Sequence, residues 1–371
     1  MKREPAIPRV VAWESTVACN LACVHCRAEA QTEPTQDEMN TAEVQKLIDD
    51  IASFATPILI ISGGEPLMRP DIFEIARYAN ERGLRAALSP NGTLIDADVA
   101  RRIQQAGVSR VSISIDGATA ADHDAIRGVP GAFDAAVEGI AACRTQGLSF
   151  QINTTVMRQN VGALDALQQW AIDQGAAAWH LFMLVPTGRG AIDDEISPDE
   201  YEGVLSWIYD RAKTSPLPMR VTCGPQFMRI VTQRGHGAPA GIERPRQVHG
   251  AHGGAHSAAH GARHPHGLSR GCLAADGYCF VSRSGDVYPC GYLPLSAGNV
   301  RERSFREIYQ ESELFCTLRD LSQLQGNCGA CEYLRVCGGC RARAYAFTGN
   351  VLATDPLCTH QPRSRGQRGD S

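Results

Sequence analysis

No stretch of this chain approaches the ~20 consecutive apolar residues that a membrane helix needs. Its opening residues, MKREPAIPRVVAWES, turn polar too quickly for an export leader. A surplus of positive charge is missing as well. The formal net charge of −4 argues against general nucleic-acid binding. These absences make a soluble, cytoplasmic protein the expectation. At 371 residues the chain exceeds the usual single domain, so a large domain with a smaller companion is expected.

What the chain has instead is cysteine, 14 in all. In a small secreted chain that number suggests disulfides, but in a large chain without an export signal it suggests metal ligands. The most informative group is Cys19, Cys23 and Cys26 in ACNLACVHCRAEA. The spacing C-x3-C-x2-C supplies three thiolates where a cubane iron–sulfur cluster takes four. One iron is then open to a ligand from a substrate. A zinc site more often pairs C-x2-C units closed by a fourth Cys or His.

The first half alternates between two hydrophobic periods. Strand-like runs occur at Val10–Trp13, Pro57–Ser62, Arg85–Ser89, Arg110–Asp116, Phe150–Val156 and Trp179–Val185. Helical patterns lie between them at Thr41–Phe54, Asp71–Arg82, Asp96–Gly107, Ala135–Gly147 and Val161–Gln174. Such alternation implies a parallel sheet with right-handed crossovers and functional residues at the carboxyl ends of the strands. The motifs fall there. The cysteine loop follows the first strand, Gly63-Gly64-Glu65-Pro66 the second, Ser89-Pro90-Asn91-Gly92 the third and Asp116-Gly117 the fourth.

Glycines in GGEP let the backbone approach a ligand closely, although spacing alone is equally that of an ordinary turn. Asn91, Ser112, Ser114 and Asn153 lie on or just after strand ends. Each by itself is as well explained by satisfying nearby backbone groups. Arg127, in HDAIRGVPGAF, is either a bidentate partner for a ligand carboxylate or a surface arginine at a helix end.

The last hundred residues hold a second cysteine system: Cys272, Cys279 and Cys290, then Cys328-x2-Cys331-x5-Cys337-x2-Cys340, and Cys358. Its C-x2-C pairs suit either structural zinc or iron–sulfur clusters. Cys143 and Cys316 read as ordinary thiols on helices, and Cys223 in VTCGPQF is ambiguous, approach to a substrate being one of its readings. Between the two systems, from Gly235 to Gly267, a Gly-, Ala- and Pro-rich stretch carries seven of the 11 histidines. A segment so poor in apolar bulk is expected to be mobile. It is either a metal- or haem-binding tract or a tolerated flexible insertion.

Together these motifs resemble the radical S-adenosylmethionine (SAM) enzymes, and the C-terminal cysteines with Gly285 in GDVYPC resemble the SPASM extension. The resemblance implies an α/β fold: a partial (β/α)6 TIM-like barrel followed by a small Cys-rich domain. Residues 1–215 would form the core, 216–268 a connecting segment with the His-rich flexible insert, and 269–371 the SPASM domain. Cys19, Cys23 and Cys26 would hold a [4Fe–4S] cluster whose open iron SAM chelates. Reduction then splits SAM into methionine and a 5′-deoxyadenosyl radical, with no side chain assigned as catalytic. Gly63, Gly64, Glu65 and Pro66 would hold the SAM amino group, with Glu65 accepting from the ammonium. Asn91, Ser112, Ser114 and Asn153 would reach its ribose or methionine part, Arg127 its carboxylate, and His25 would pack beside adenine. Two auxiliary [4Fe–4S] clusters follow. Cys272, Cys279, Cys290 and Cys340 are expected on the first, and Cys328, Cys331, Cys337 and Cys358 on the second. Two residues separate Cys337 from Cys340 where many SPASM domains have three, which bears on this pairing.

The phrases AWESTVACNLACVHCRAEA, SPNGTLID, SISIDG, INTTV and AAAWHLFMLVPTGRG are similar to the tetrapyrrole-modifying branch of that family, most of all its haem-synthase type. That likeness implies oxidative decarboxylation of two propionates of Fe-coproporphyrin III to vinyls, giving haem b. It implies two SAM per haem, an auxiliary cluster as electron acceptor, and a one-electron reductant such as flavodoxin or ferredoxin. Trp179, His180, Phe182 and Met183 are candidates for the porphyrin slot, Arg189 for a propionate anchor and His180 for an axial iron ligand. Alternatives are side-chain removal from a sirohaem-derived tetrapyrrole, a radical SAM peptide maturase and a non-catalytic metal-handling protein. The few residues before the first strand count against the maturase, and the intact GGEP motif against the last.

Overall fold

All six expected runs form strands: β1 (Val10–Glu14), β2 (Ile58–Ser62), β3 (Arg85–Leu88), β4 (Val111–Ser114), β5 (Phe150–Val156) and β6 (Trp179–Met183). In this computed structural model the described residues are 6–235 and 270–363. The His-rich insert, from residue 236 on, lies outside them. Two further parallel strands extend the sheet: β7 (Met219–Thr222) beside β6, and β8 (Tyr278–Val281) beside β1. The short β9 (Val287–Tyr288) pairs antiparallel with β8. The order is β7-β6-β5-β4-β3-β2-β1-β8-β9, a curled parallel half-barrel with an open side. MRVT alternates over only four residues and YCFV does not alternate, so neither stands out as a strand by pattern alone.

The pleat divides the strands into two faces. Val11, Trp13, Leu59, Ile61, Ala86, Leu88, Val111, Ile113, Ile152, Trp179, Leu181 and Met219 are buried in one apolar core. Against that face pack the crossover helices α1 (Thr41–Ala52), α2 (Ile72–Glu81), α3 (Ala97–Gln105), α5 (Ala132–Thr145), α6 (Leu164–Asp173) and α7 (Pro198–Arg211), whereas α4 (Ala120–Arg127) lies over the loop after β1. Helix α1 begins with a capping box in which Asn40 and Glu43 satisfy each other's backbone N–H groups, and its apolar stripe Val44, Leu47, Ile48 and Ile51 meets the sheet. The concave face is different. It presents Ser112, Ser114, Gln151, Asn153, His180, Phe182, Arg220 and Thr222, side chains that no strand buried on both faces would carry.

After β7 come α8 (Gln226–Gln233) and then the C-terminal region, with α9 (Phe305–Glu311), α10 (Glu313–Arg319), α11 (Gly326–Ala330) and α12 (Arg341–Thr348). Because β8 completes the barrel sheet, this region is joined to the core by backbone hydrogen bonds as well as by packing. No helix of the described residues is long and apolar enough to cross a membrane.

Candidate active site

The loop after β1 carries Cys19, Cys23 and Cys26, and two neighbouring loops and the end of α4 hold its backbone. From the loop after β2, the Gly64 and Glu65 amides donate to the Thr16 and Ala18 carbonyls, both at 2.7 Å. A Cβ on Gly64 would lie 2.4 Å from the Ala18 carbonyl oxygen, so this glycine is required by the approach of the cysteine loop itself. From α4, the Arg127 and Ile126 carbonyls accept from Ala22 and Val24 at 3.1 and 3.0 Å. From the loop after β6, Arg189 donates its amide to the Cys26 carbonyl at 3.0 Å, and its guanidinium to the carbonyls of Cys23 (2.9 Å) and Ala30 (3.0 Å). Arg189 therefore braces the cysteine loop, a task its sequence context does not announce.

Donors also aim at the sulfurs. The Leu21 amide lies 3.4 Å from Cys19 Sγ, the Ala30 amide 3.4 Å from Cys26 Sγ and Arg127 Nη1 3.6 Å from Cys23 Sγ. Burial pushes the Cys19 thiol up to about 11, with the charges of Glu65, Cys23 and Cys26 adding to the rise. Three cysteines of one loop, each with an N–H donor aimed at its sulfur, fit an iron–sulfur cluster whose metal would hold them as thiolates.

Glu65 is fully buried. Its two carboxylate oxygens accept from the Leu67 amide (3.0 Å) and the Asn91 amide (2.6 Å), which ties the loops after β2 and β3 together. Burial raises its carboxyl to about 7 against the pull of those two N–H groups. The Asn91 side chain donates to Asn20 at 2.8 Å and stands 4.0 Å from Cys19 Sγ.

Arg127 is an interior residue, not a surface one. Its guanidinium lies 2.7 Å from Asp116 Oδ2 at the end of β4. Asp116 is fully buried, accepts the Thr155 amide at 2.7 Å and lies 3.5 Å from His25 Nε2. Burial lowers His25 to about 4, so the ring is neutral at physiological pH, and its Nδ1 has no hydrogen-bond partner among the described residues. His123 accepts the Asp116 amide at 3.2 Å and is likewise held at about 4 by burial. Sequence reasoning placed Asp116 at a strand end but gave it no role. It also missed Glu14, the buried last residue of β1, which pairs with Arg27 and Arg283, each at 3.1 Å. A glutamate closing the apolar run VVAWE was the available signal.

Strand register sets Ser114, Asn153, His180 and Arg220 side by side across the concave face. Gln151 donates to Asn153 Oδ1 at 3.0 Å and lies 2.9 Å from His180 Nδ1. Phe182 shares this face, but Trp179 and Met183 do not. Both are buried against the helices, Trp179 donating to Thr154 at 2.8 Å. A slot lined by all four of these residues is excluded because alternate side chains of a strand point to opposite faces. Arg85 and Arg110 carry further positive charge on the concave side, and the buried Arg85 Nε has no hydrogen-bond partner among the described residues.

In the C-terminal region Cys328, Cys331, Cys337 and Cys358 line one cavity together with Arg229, Gly338, Gly339 and His360. Amides of Asp355, Tyr333 and Gly339 point at Cys328 (3.4 Å), Cys331 (3.4 Å) and Cys337 (3.5 Å). Cys290 and Cys340 receive amides of Tyr292 and Arg343, both at 3.5 Å. Electrostatically, Cys290 and Cys340 both feel Cys272. The structure does not bring Cys279 to this group. Register pairs it with Val11 on the convex face, where it lies buried in the core with Tyr309, and Arg319 is the charge that bears on it. Cys143 is buried within α5, and Cys316 is exposed on α10.

The chain matches the radical SAM superfamily over residues 13–171 and SPASM, an iron-sulfur cluster-binding domain, over residues 272–341. It is 47% identical over 355 residues to the AdoMet-dependent heme synthase of Methanosarcina barkeri, covering 96% of this chain and 97% of that protein. It is 34% identical over 368 residues to the Fe-coproporphyrin III synthase of the same organism, covering 94% and 87%. Native anSMEcpe with bound AdoMet superposes with a TM-score of 0.68 at 17% identity, covering 95% of this chain and 94% of that one, a likeness of fold.

Proposed function

The chain belongs to the radical SAM superfamily, as an enzyme carrying the SPASM extension, and on that premise we propose that it converts Fe-coproporphyrin III to haem b. The reaction is oxidative loss of two propionate carboxyl groups, leaving two vinyls. The observation that carries this reading is the 47% identity to an AdoMet-dependent heme synthase over nearly the whole of both chains. The arginines of the concave face support it, since a substrate bearing several carboxylates needs fixed cations within an otherwise enclosed slot.

Cys19, Cys23 and Cys26 would hold the SAM-binding cluster, and the C-terminal cysteines two auxiliary ones, three [4Fe–4S] clusters in all. When bound, the first cluster and SAM supply one-electron chemistry strong enough to remove hydrogen from an unactivated carbon. The protein's own part is placement. The loop at Gly63–Pro66 sits directly on the cysteine loop, so a ligand at the cluster meets its main chain. Arg127 beside the cysteine loop and His25 within it would provide a cation and a ring for SAM. Ser114, Asn153 and His180 form one row facing the interior, with Arg220 beside His180 and Arg110 against Gln151 as anchors for propionates. A tetrapyrrole substrate and a one-electron reductant such as flavodoxin or ferredoxin are the partners this reaction requires.

Anaerobic turnover with SAM, dithionite and Fe-coproporphyrin III, followed by mass spectrometry, tests the reading. Stepwise loss of two carboxyl groups through a monovinyl species, matched by 5′-deoxyadenosine, is expected. SAM cleavage with unchanged porphyrin would overturn this substrate and direct the assay to sirohaem-derived tetrapyrroles, then to peptides.

A further inference from the structure

We propose that Cys223, at the carboxyl end of β7, is the fourth thiolate of the first auxiliary cluster, with Cys272, Cys290 and Cys340, and that Cys279 is not a ligand. This rests on the reading of the C-terminal cysteines as cluster ligands. It reassigns one of them on geometry.

The argument begins with the faces of two short strands. In β8 the pleat sends Tyr278 and Phe280 inward, where Arg27 lies 4.3 Å over the Phe280 ring. It sends Cys279 outward into the core behind the sheet. A cluster bound there would have to open the packing of Val11, Tyr309 and Phe315. Cys223 is placed the opposite way. It follows Thr222 of β7 in a left-handed conformation, φ +60°, uncommon for a residue with a Cβ. Its carbonyl accepts from Arg343 Nη1 and the Tyr201 hydroxyl, each at 3.2 Å.

Arg343 links this residue to Cys340, since the amide of that same arginine points at Cys340 Sγ. Gly271, next to Cys272, sits so close to Pro225 that a Cβ on it would be 2.6 Å from the Pro225 carbonyl oxygen. The Cys272 and Cys223 segments are therefore in contact. Ala275 in turn donates to the Pro289 carbonyl at 3.1 Å, which brings the segment before Cys290 to the same place. The Cys223 thiol feels Cys340, Cys290 and Cys272, in that order among the cysteines. Four cysteines are thus carried on segments that meet there, the number of thiolates a closed cubane takes. One comes from the barrel and three from the extension, so the cluster would join the two parts next to the row containing Arg220.

The test uses the full chain with Cys19, Cys23 and Cys26 all changed to alanine, so that only auxiliary clusters remain, about eight iron per chain. Adding Cys223→Ala is expected to lower iron and acid-labile sulfide by about half. Alternatively it leaves a cluster whose reduced EPR signal shifts on adding imidazole, which enters the freed position. Adding Cys279→Ala should change neither. Cys223→Ser, which preserves the side-chain volume, should retain the circular dichroism of the parent and still alter the EPR signal. Retention of full iron and an imidazole-insensitive, parent-like signal in Cys223→Ala overturns the assignment. So does loss of the first auxiliary signal in a folded Cys279→Ala protein. Absence of acid-labile sulfide from the triple variant itself would defeat the auxiliary-cluster reading, and the Cys223 assignment with it.

Discussion

Arg127 and Asp116 face each other at 2.7 Å with neither side chain more than marginally exposed, and the same guanidinium stands 3.6 Å from Cys23 Sγ. Breaking a buried pair by removing one partner is costlier than replacing both, because the remaining charge is stranded. Arg127→Met is therefore expected to destabilise the chain by about 3–5 kcal/mol. Adding Asp116→Asn should restore part of that loss. Anaerobic urea unfolding measures it, and a wild-type midpoint for Arg127→Met would sink the claim.

The contact between the GGEP loop and the cysteine loop gives a second expectation. At Gly64 an added methyl meets the backbone carbonyl oxygens of Ala18 and Val17 at 2.4 and 2.5 Å. Backbone cannot step aside as a flexible side chain can, so Gly64→Ala should cost roughly 1–3 kcal/mol. It should also leave the first cluster incompletely assembled. Iron analysis and SAM binding by equilibrium dialysis would check this, and unchanged values for both would count against it.

Arg189 was expected to anchor a propionate, but its guanidinium donates to the carbonyls of Cys23 and Ala30. If bracing is its main task, Arg189→Ala weakens SAM binding about tenfold, roughly 1.4 kcal/mol, and leaves porphyrin affinity within twofold. The reverse pattern, intact SAM binding with weakened porphyrin binding, would restore the anchor role.

His123 makes stability depend on pH. Its ordinary value of 6.5 is lowered to about 4 by burial, with the Arg127 charge adding to the effect. As pH falls below 6.5 the unfolded chain takes up a proton that the folded chain refuses until about 4. The stabilisation is thus complete above 6.5 and declines as pH falls toward 4. Between pH 7.5 and 5.5 it amounts to about 1.4 kcal/mol. His123→Gln should flatten that portion of the pH–stability curve, and parallel curves for the two proteins would contradict the assignment.

The sequence was most legible where chemistry and periodicity coincide. Cys19, Cys23 and Cys26 declare themselves by spacing, and the first six strands by runs long enough to carry a period. Legibility failed where a task is decided by which way one side chain points. Cys279 was grouped with ligands by its position in the chain, yet its parity with Val11 turns it away. Trp179 and Met183 were separated from His180 and Phe182 by the same rule. Glu65 and Arg189 look like ligand-binding residues in their motifs, and only packing shows the backbone groups they hold. No local pattern could place β8 beside β1, since nothing near either strand encodes so distant a partner.

That pairing sets an order on biosynthesis. Val10 emerges from the ribosome long before its partner Tyr278, with β2 to β7 made in between. Until then β1 presents a bare strand edge, the kind of surface that recruits other chains. Closure across so long a loop is also slow. A product truncated before Tyr278 should consequently be prone to aggregation, even with all seven earlier strands present. The nascent sheet would depend on chaperone protection or on rapid completion of synthesis, and the loop bearing Cys19, Cys23 and Cys26 leads directly from the strand that is sealed last.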